Sequence, residues 1–318
     1  MAKGAISPAY LTRDRRIKNF KRKLRANWDI YLMALPGIAF LIMFSYLPMY
    51  GVIIAFKKYR LADGIWGSPW IGMANFERLT YSFEFKRAFR NTLIISWLKM
   101  ILGLPVPIIF ALMLNEIRIP IYKRICQTIS YIPHFISWVV VAGIFIDFLS
   151  PSTGMVNTAL QLFGVEPIYF MASETWIRPV VIFTDIWKDF GWGTIVYLAA
   201  ITGVDSQLYE AASIDGAGRW RQTLHVTLPA IRNTFIVVLI MRLGNTMTGA
   251  NFEQIFMMNS SPVLEQIDII DTYIYRASFN SLDFSFTTAA GLFSSIIGCT
   301  LLVTSNYVVK KLGGRGMY

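Results

Sequence analysis

Charge is scarce in this sequence. Of 318 residues only 15% are Asp, Glu, Lys or Arg, where soluble domains carry roughly 25%. Hydrophobic residues make up 55% and mean hydropathy is +0.48. A soluble core of this size would leave too much apolar surface in water; a bilayer removes that conflict. Cysteine and histidine are scarcer still, with only Cys126, Cys299, His134 and His225. These supply neither a disulfide framework nor a metal-ligand cluster. A third absence is the phosphate loop: no G-x-x-x-x-G-K-[ST] run occurs, so any ATP hydrolysis must be supplied in trans.

What the sequence does hold is an uneven basic excess. Net charge is +11, and nine of the 30 Lys and Arg residues precede Trp28. The run abuts a long apolar segment, so it reads as a positive-inside anchor on anionic lipid and not as a nucleic-acid arm. The apolar segment is too long for a signal-peptide core and lacks a small-residue cleavage site, so it reads as an uncleaved span.

A span needs about 20 mostly apolar residues. Six candidates satisfy this, at about 28–56, 90–114, 125–149, 176–201, 233–258 and 284–309. The fold class expected is therefore an all-α membrane protein, with a tail at 1–27, a membrane-spanning domain at 28–309 and a short tail at 310–318. Prolines 36, 48, 105, 107 and 133 fall inside spans, where neighbouring helices can satisfy the freed carbonyls. An even number of spans places both termini on one side. Both tails are basic, which makes that side cytoplasmic. The outer segment 57–89 breaks the rule: it carries Lys57, Lys58, Arg60, Arg78, Lys86 and Arg87 against Asp63, Glu77 and Glu84.

The inner segment 202–232 reads "TGVDSQLYEAASIDGAGRWRQTLHVTLPAIR". Asp205 can N-cap a short helix, and Gly216, after Asp215, can end it at positive φ. Glu210, Ala211 and Ala212 then lie mid-helix, two small residues for close approach beside one charge for a basic partner. A second short helix should run from Arg219 to about His225 and stop before Pro229. Bulk solvent requires no such helix–turn–helix, whereas docking into another protein does.

Glu210, Ala211, Ala212, Gly216, Val226, Leu228 and Pro229 stand at the spacing E-A-A, three residues, G, nine residues, I, one residue, L-P. With valine for isoleucine, this resembles the coupling loop of ABC-importer permeases. "SPWIGMANFERL", "NTLIISWLKMILGLPVPIIFALMLNE" and "SYIPHFISWVVVAGI" resemble the LplB-like branch of carbohydrate permeases, related to the larger maltose permease subunit. The resemblance covers nearly the whole chain after Trp28. It implies a type I importer fold in a bacterial cytoplasmic membrane and a coupling helix seated on an ATPase. It also implies a second permease subunit, an ATPase dimer that binds ATP and Mg, an extracellular solute-binding protein and an oligosaccharide substrate.

Polar residues inside spans point to pathways. Asp185, Lys188, Asp189 and Trp192 recur at i, i+3, i+4 and i+7, one helical face. Carboxylates accept bonds from sugar hydroxyls and an indole stacks on a sugar ring; an internal Asp–Lys pair explains the charges equally. Arg242, Asn245, Thr246, Gly249 and Asn251 form a second strip, with helix-packing hydrogen bonds as the alternative. The resemblance places sugar contacts on both helices. Lys188 and Arg242 would suit a uronic-acid sugar, though pairing with Asp185, Asp189 or Glu253 accounts for them as well.

Two other classes remain to be weighed. An ion-coupled secondary transporter requires a proton or sodium relay and no ATPase; the missing internal repeat and the coupling-loop spacing oppose it. A membrane-embedded enzyme requires a nucleophile or acid–base pair. Ser96 and Lys99 have an S-x-x-K spacing, but accompanying motifs are absent, and Lys99 reads as snorkelling or pairing with a carboxylate such as Asp147.

Overall fold

The computed structural model describes residues 26–247 and 251–311. The basic run up to Arg25, Gly249 and the end after Lys311 lie outside them. Among the described residues the chain is helical, with one isolated bridge between Lys57 and Trp70 as its only β pairing.

A first rod runs from Trp28 to Phe56, α-helical as α1 (Trp28–Leu41) and then wound differently through Ile42–Tyr46 and Leu47–Phe56. The change in winding coincides with Pro48, which cannot donate to the ladder. The side chains of 28–50 are exposed, while 51–56 are drawn in around the buried Ala55. The second rod joins α2 (Phe83–Gly103) and α3 (Pro105–Glu116) over 34 residues, about 50 Å at 1.5 Å per residue. It begins seven residues earlier than the apolar pattern suggests, because Ser82 caps it by accepting from Phe85 N.

The third expected span is not straight. α4 (Pro120–Phe135) and α5 (Trp138–Phe148) meet at 103°. Pro133 weakens the last turn of α4, Ile136 and Ser137 are extended, and the Ser137 hydroxyl starts α5 by accepting from Val140 N. α6 (Ile177–Thr202) follows, and its tail leads into the inner segment with α7 (Ser206–Ile214) and α8 (Arg219–Gln222). The fifth expected span is also interrupted. α9 (Arg232–Gly244) ends in a turn at 245–247, and a separate α10 (Phe252–Met258) begins after Asn251, which adopts φ +64°. α11 (Ile270–Asn280) and α12 (Phe284–Lys311) complete the chain.

Among the described residues three helices are long and apolar enough to cross a membrane: 28–56, 83–116 and 284–311. The total reaches five if each bent pair, α4 with α5 and residues 219–230 with α9, is one span. α6 is long enough, but Arg178, Asp185, Lys188 and Asp189 keep it from the apolar class. It is instead the buried centre of the bundle, and its polar groups are partnered by protein where lipid would leave them bare.

Packing around α6 is layered. Ile95, Val141, Ile177, Val181, Ile255 and Ile267 form one core at its N-terminal half. Ala111, Leu114, Tyr197, Leu198, Ile201 and Ile231 form another at its C-terminal half. Between them Gly191 admits α4 at contact distance: a Cβ there would lie 1.9 Å from Ser130 O. No side chain fits at that crossing.

Candidate functional site

The inner hairpin follows from local chemistry. Asp205 caps α7 by accepting from Gln207 N at 2.9 Å. At the other end Ala217 N donates to Ala212 O and Gly216 N to Ser213 O, with Gly216 at φ +75°. This is the paired 6→1 and 5→2 closure of a Schellman motif, and its left-handed residue favours glycine. Tyr209 Oη and Thr227 Oγ1 lie 2.9 Å apart, and Gln222 Nε2 donates to Ser213 Oγ and Ala217 O, so the two arms are clamped together. The second arm does not stop before Pro229. It widens at Thr223–Thr227 and continues through Leu228–Ala230. A wide turn fits the chain to a proline that has no N–H and crowds the preceding carbonyls.

The outside of this hairpin is unlike a solvated loop. Leu208, Ile214, Trp220 and Leu224 are exposed, Ile214 at 87%. Glu210, Ala211 and Asp215 are exposed beside them. Arg219 forms an ion pair with Glu116 at 3.0 Å, joining the hairpin to the end of α3.

The α6 face resolves into three separate environments. Asp185 accepts from Lys99 Nζ at 2.8 Å; Lys99 is buried and Asp185 is partly buried. Lys99 also donates to Gln254 Oε1, while Gln254 Nε2 donates to Val181 O at 2.7 Å and Thr184 Oγ1 at 2.8 Å. The partner of Lys99 is therefore Asp185 and not Asp147. Ser96 Oγ is buried without a hydrogen-bond partner, so the S-x-x-K pair is not assembled for chemistry.

Lys188 pairs with neither aspartate. Its ammonium donates to His134 O at 2.6 Å and lies 5.5 Å from the Trp138 ring centroid. His134 O belongs to the last turn of α4, where carbonyls lack helical partners and a cation is favoured. Lys188 thus caps the bend between α4 and α5. It is buried.

Asp189 and Trp192 remain accessible. Asp189 Oδ1 is 2.8 Å from His134 Nδ1, with the two side chains 41% and 32% exposed. The His134 ring stacks on Trp192, centroids 4.7 Å apart and planes 3° from parallel, and Phe135 meets the same indole edge-on. A carboxylate, an imidazole and a half-exposed indole thus share one surface. Sequence reasoning missed His134. Its partners lie 55 and 58 positions away, and the only local sign was its place beside Pro133.

The α9 strip is less coherent. Thr246 is buried and donates to Arg242 O, while Asn245 is exposed. The Arg242 guanidinium lies against Gly103, where a Cβ would meet its Nη1 at 3.3 Å. Asn251 stands beyond the turn and does not cap α10 with its side chain. Among the described residues no hydrogen bond or ion pair joins Arg242, Thr246 or Asn251 to Asp189 or Trp192.

The fold and the hairpin define a transport permease. Residues 103–312 match the family described as binding-protein-dependent transport system inner membrane component, and the chain belongs to that family. It is the multi-pass permease subunit of an ABC-type importer; ATPase activity resides on a separate subunit. Among individual relatives, it is 42% identical to the polygalacturonan/rhamnogalacturonan transport system permease protein YteP of Bacillus subtilis, over 99% of this chain and 97% of that protein. It is also 42% identical to Protein LplB of the same organism, over 92% of both chains. A crystal structure of a bacterial ABC transporter that imports the acidic polysaccharide alginate contains a chain with TM-score 0.85 and 40% identity, covering 92% of this chain and 99% of that one. A second structure, of the alginate transporter with an alginate pentasaccharide-bound periplasmic protein, contains one with TM-score 0.85 and 39% identity, covering 93% of this chain and 99% of that one.

Proposed function

We propose that this permease carries an acidic oligosaccharide, delivered by a solute-binding protein, and that α7 with α8 couples it to the ATPase. The observation that carries the coupling role is the rigid hairpin around Gly216 with Leu208, Ile214 and Trp220 left bare. Exposed apolar groups on a clamped frame suit a protein cleft better than water. ATP and Mg belong to the partner ATPase. The bare stretch 28–50 suits lipid or a second permease subunit, and both termini lie on the hairpin's side of the membrane.

The mechanism is alternating access. Nucleotide binding closes the ATPase dimer, and the hairpin transmits that motion directly into α6 and, through Arg219 and Glu116, into α3. Asp189, His134 and Trp192 present a hydrogen-bonding and stacking surface for a sugar ring on α6. Asp185 and Lys188 serve the frame, so the sugar contacts narrow from the four residues of the α6 face to Asp189 and Trp192, joined by His134. The acidic substrate class is supported by the relatives, one a polygalacturonan/rhamnogalacturonan transport permease and another part of an alginate importer.

Reconstitution tests this reading. Proteoliposomes holding the permease pair, the ATPase and the binding protein should take up an acidic oligosaccharide only with internal ATP. Uptake driven by a proton or sodium gradient without ATP would restore the secondary-transporter reading.

A further inference from the structure

The basic excess in the outer segment, against the positive-inside rule, finds a structural setting at the far end of α2. Lys86, Arg87 and Arg90 project there beside Arg178 from the start of α6, around a cleft of about 430 Å³. Among the described residues Glu265 is the only carboxylate lining it, and it is held by Arg87 at 2.6 Å. Arg178 donates from Nε to Gln266 O at 2.9 Å and from Nη2 to Asn91 Oδ1 at 3.0 Å, which fixes its guanidinium in place. Arg90 lies close enough to repel that charge. Lys86 and Arg90 are exposed and take no carboxylate among the described residues. Four cations facing one anion cost stability through mutual repulsion unless something anionic visits.

Phe83 adds a second kind of chemistry. Its ring lines the same cleft and is 76% exposed. An exposed aromatic face beside guanidinium and ammonium groups can stack on a pyranose while the cations take its carboxylate. Position adds a third. Arg90 stands 26 residues from Glu116 along one rod, about 39 Å at 1.5 Å per residue, so the cleft and the hairpin occupy opposite ends of the molecule. Arg178, Asp185, Asp189 and Trp192 fall at i, i+7, i+11 and i+14, a single stripe of α6. The cleft therefore begins the same stripe that carries the sugar surface.

We infer that this outer cleft is an entry subsite for a uronate residue of an acidic oligosaccharide, with Arg90, Lys86 and Arg178 taking the carboxylate and Phe83 the ring. It rests on the acidic-substrate reading above. A concave cleft with an aromatic wall suits one sugar unit better than the flat acidic surface of a protein.

The test uses the complete transporter with its binding protein in proteoliposomes. Trigalacturonate is the probe, its carboxyl-reduced counterpart the control. The Lys86→Gln/Arg90→Gln variant should raise the apparent KM for trigalacturonate by roughly tenfold, the effect of about one charge-assisted hydrogen bond. Transport of the reduced sugar and capture of the ligand-free binding protein should match wild type. Lys58→Gln, which removes an outer cation away from the cleft, should leave both sugars unaffected. An equal loss for both sugars, or weakened capture of the binding protein, would make the cleft a protein-docking surface and overturn the inference. Unchanged KM for both sugars would reduce it to a solvated patch. Failure of the wild type to take up trigalacturonate would instead sink the acidic-substrate reading, and the subsite with it.

Discussion

The inner hairpin and the α6 stripe are built in opposite ways. The hairpin holds its polar groups inward, through Tyr209 with Thr227 and Gln222 with Ser213, and turns Leu208, Ile214 and Trp220 outward. The stripe holds charges inward, Lys99 against Asp185 and Lys188 against His134 O, within an apolar bundle. Apolar surface left in water has use only if something covers it. Charge taken out of solvent persists only if it is paired. The first arrangement prepares a meeting with another protein; the second secures a helix that cannot be allowed to slip. Asp189 and Trp192 are the part of the stripe left accessible, and there it can meet a ligand.

Breaking the hairpin should have the largest effect. Glu210→Lys with Gly216→Pro reverses the charge offered to the ATPase and forbids the left-handed residue that closes the turn, since proline holds φ near −65°. The chain should still enter the membrane, but ATPase copurification and uptake should both disappear. Normal copurification in this variant would make 202–232 an ordinary loop.

Breaking the Lys99–Asp185 pair comes next. Lys99→Met strands Asp185 and should cost about 3–5 kcal/mol, seen as a lowered thermal midpoint of the purified transporter. Adding Asp185→Leu should recover most of that loss. A second change that brings no recovery would show that Lys99 acts through something other than this pair.

The accessible end of the stripe should respond differently. Asp189→Ala, His134→Ala and Trp192→Ala should each reduce uptake by roughly tenfold while leaving assembly and thermal midpoint near wild type, as loss of a sugar hydrogen bond or stacking contact would. Wild-type rates in all three would make this surface packing. The smallest effect belongs to Arg219→Ala. Its pair with Glu116 is exposed on both sides, so removal should cost about 1 kcal/mol or less in stability. Coupling, read as ATP hydrolysed per sugar moved, is the more sensitive measure there.

Local signals explain why the hairpin could be read from sequence. A capping aspartate and a closing glycine eleven residues apart act on the backbone beside them, and both stand where the chemistry of helix ends requires. The stripe was legible only as a list of polar residues. Which carboxylate meets which cation depends on pairs 86 and 54 positions apart, Lys99 with Asp185 and His134 with Lys188, and periodicity carries no such information. The breaks in the third and fifth expected spans were hidden for a related reason. Apolar composition runs on through Ile136, and the polar residues after Gly244 read equally as one face of a continuous helix, while the first bend is fixed by tertiary partners, among them the Lys188 ammonium on the last turn of α4. Pro133 marked the first break; Asn251 at positive φ gave no comparable sign.

The central claim is that the hairpin meets the ATPase. In a chain with Cys126→Ser and Cys299→Ser, one cysteine introduced by Ile214→Cys stands at the most exposed apolar point of the hairpin, and Lys58→Cys places one at the opposite end of the molecule. A short thiol–amine cross-linker applied to the assembled transporter should give a permease–ATPase adduct from Ile214→Cys and none from Lys58→Cys. No adduct from Ile214→Cys in a complex that still hydrolyses ATP on sugar delivery, or equal adducts from both positions, would contradict the account.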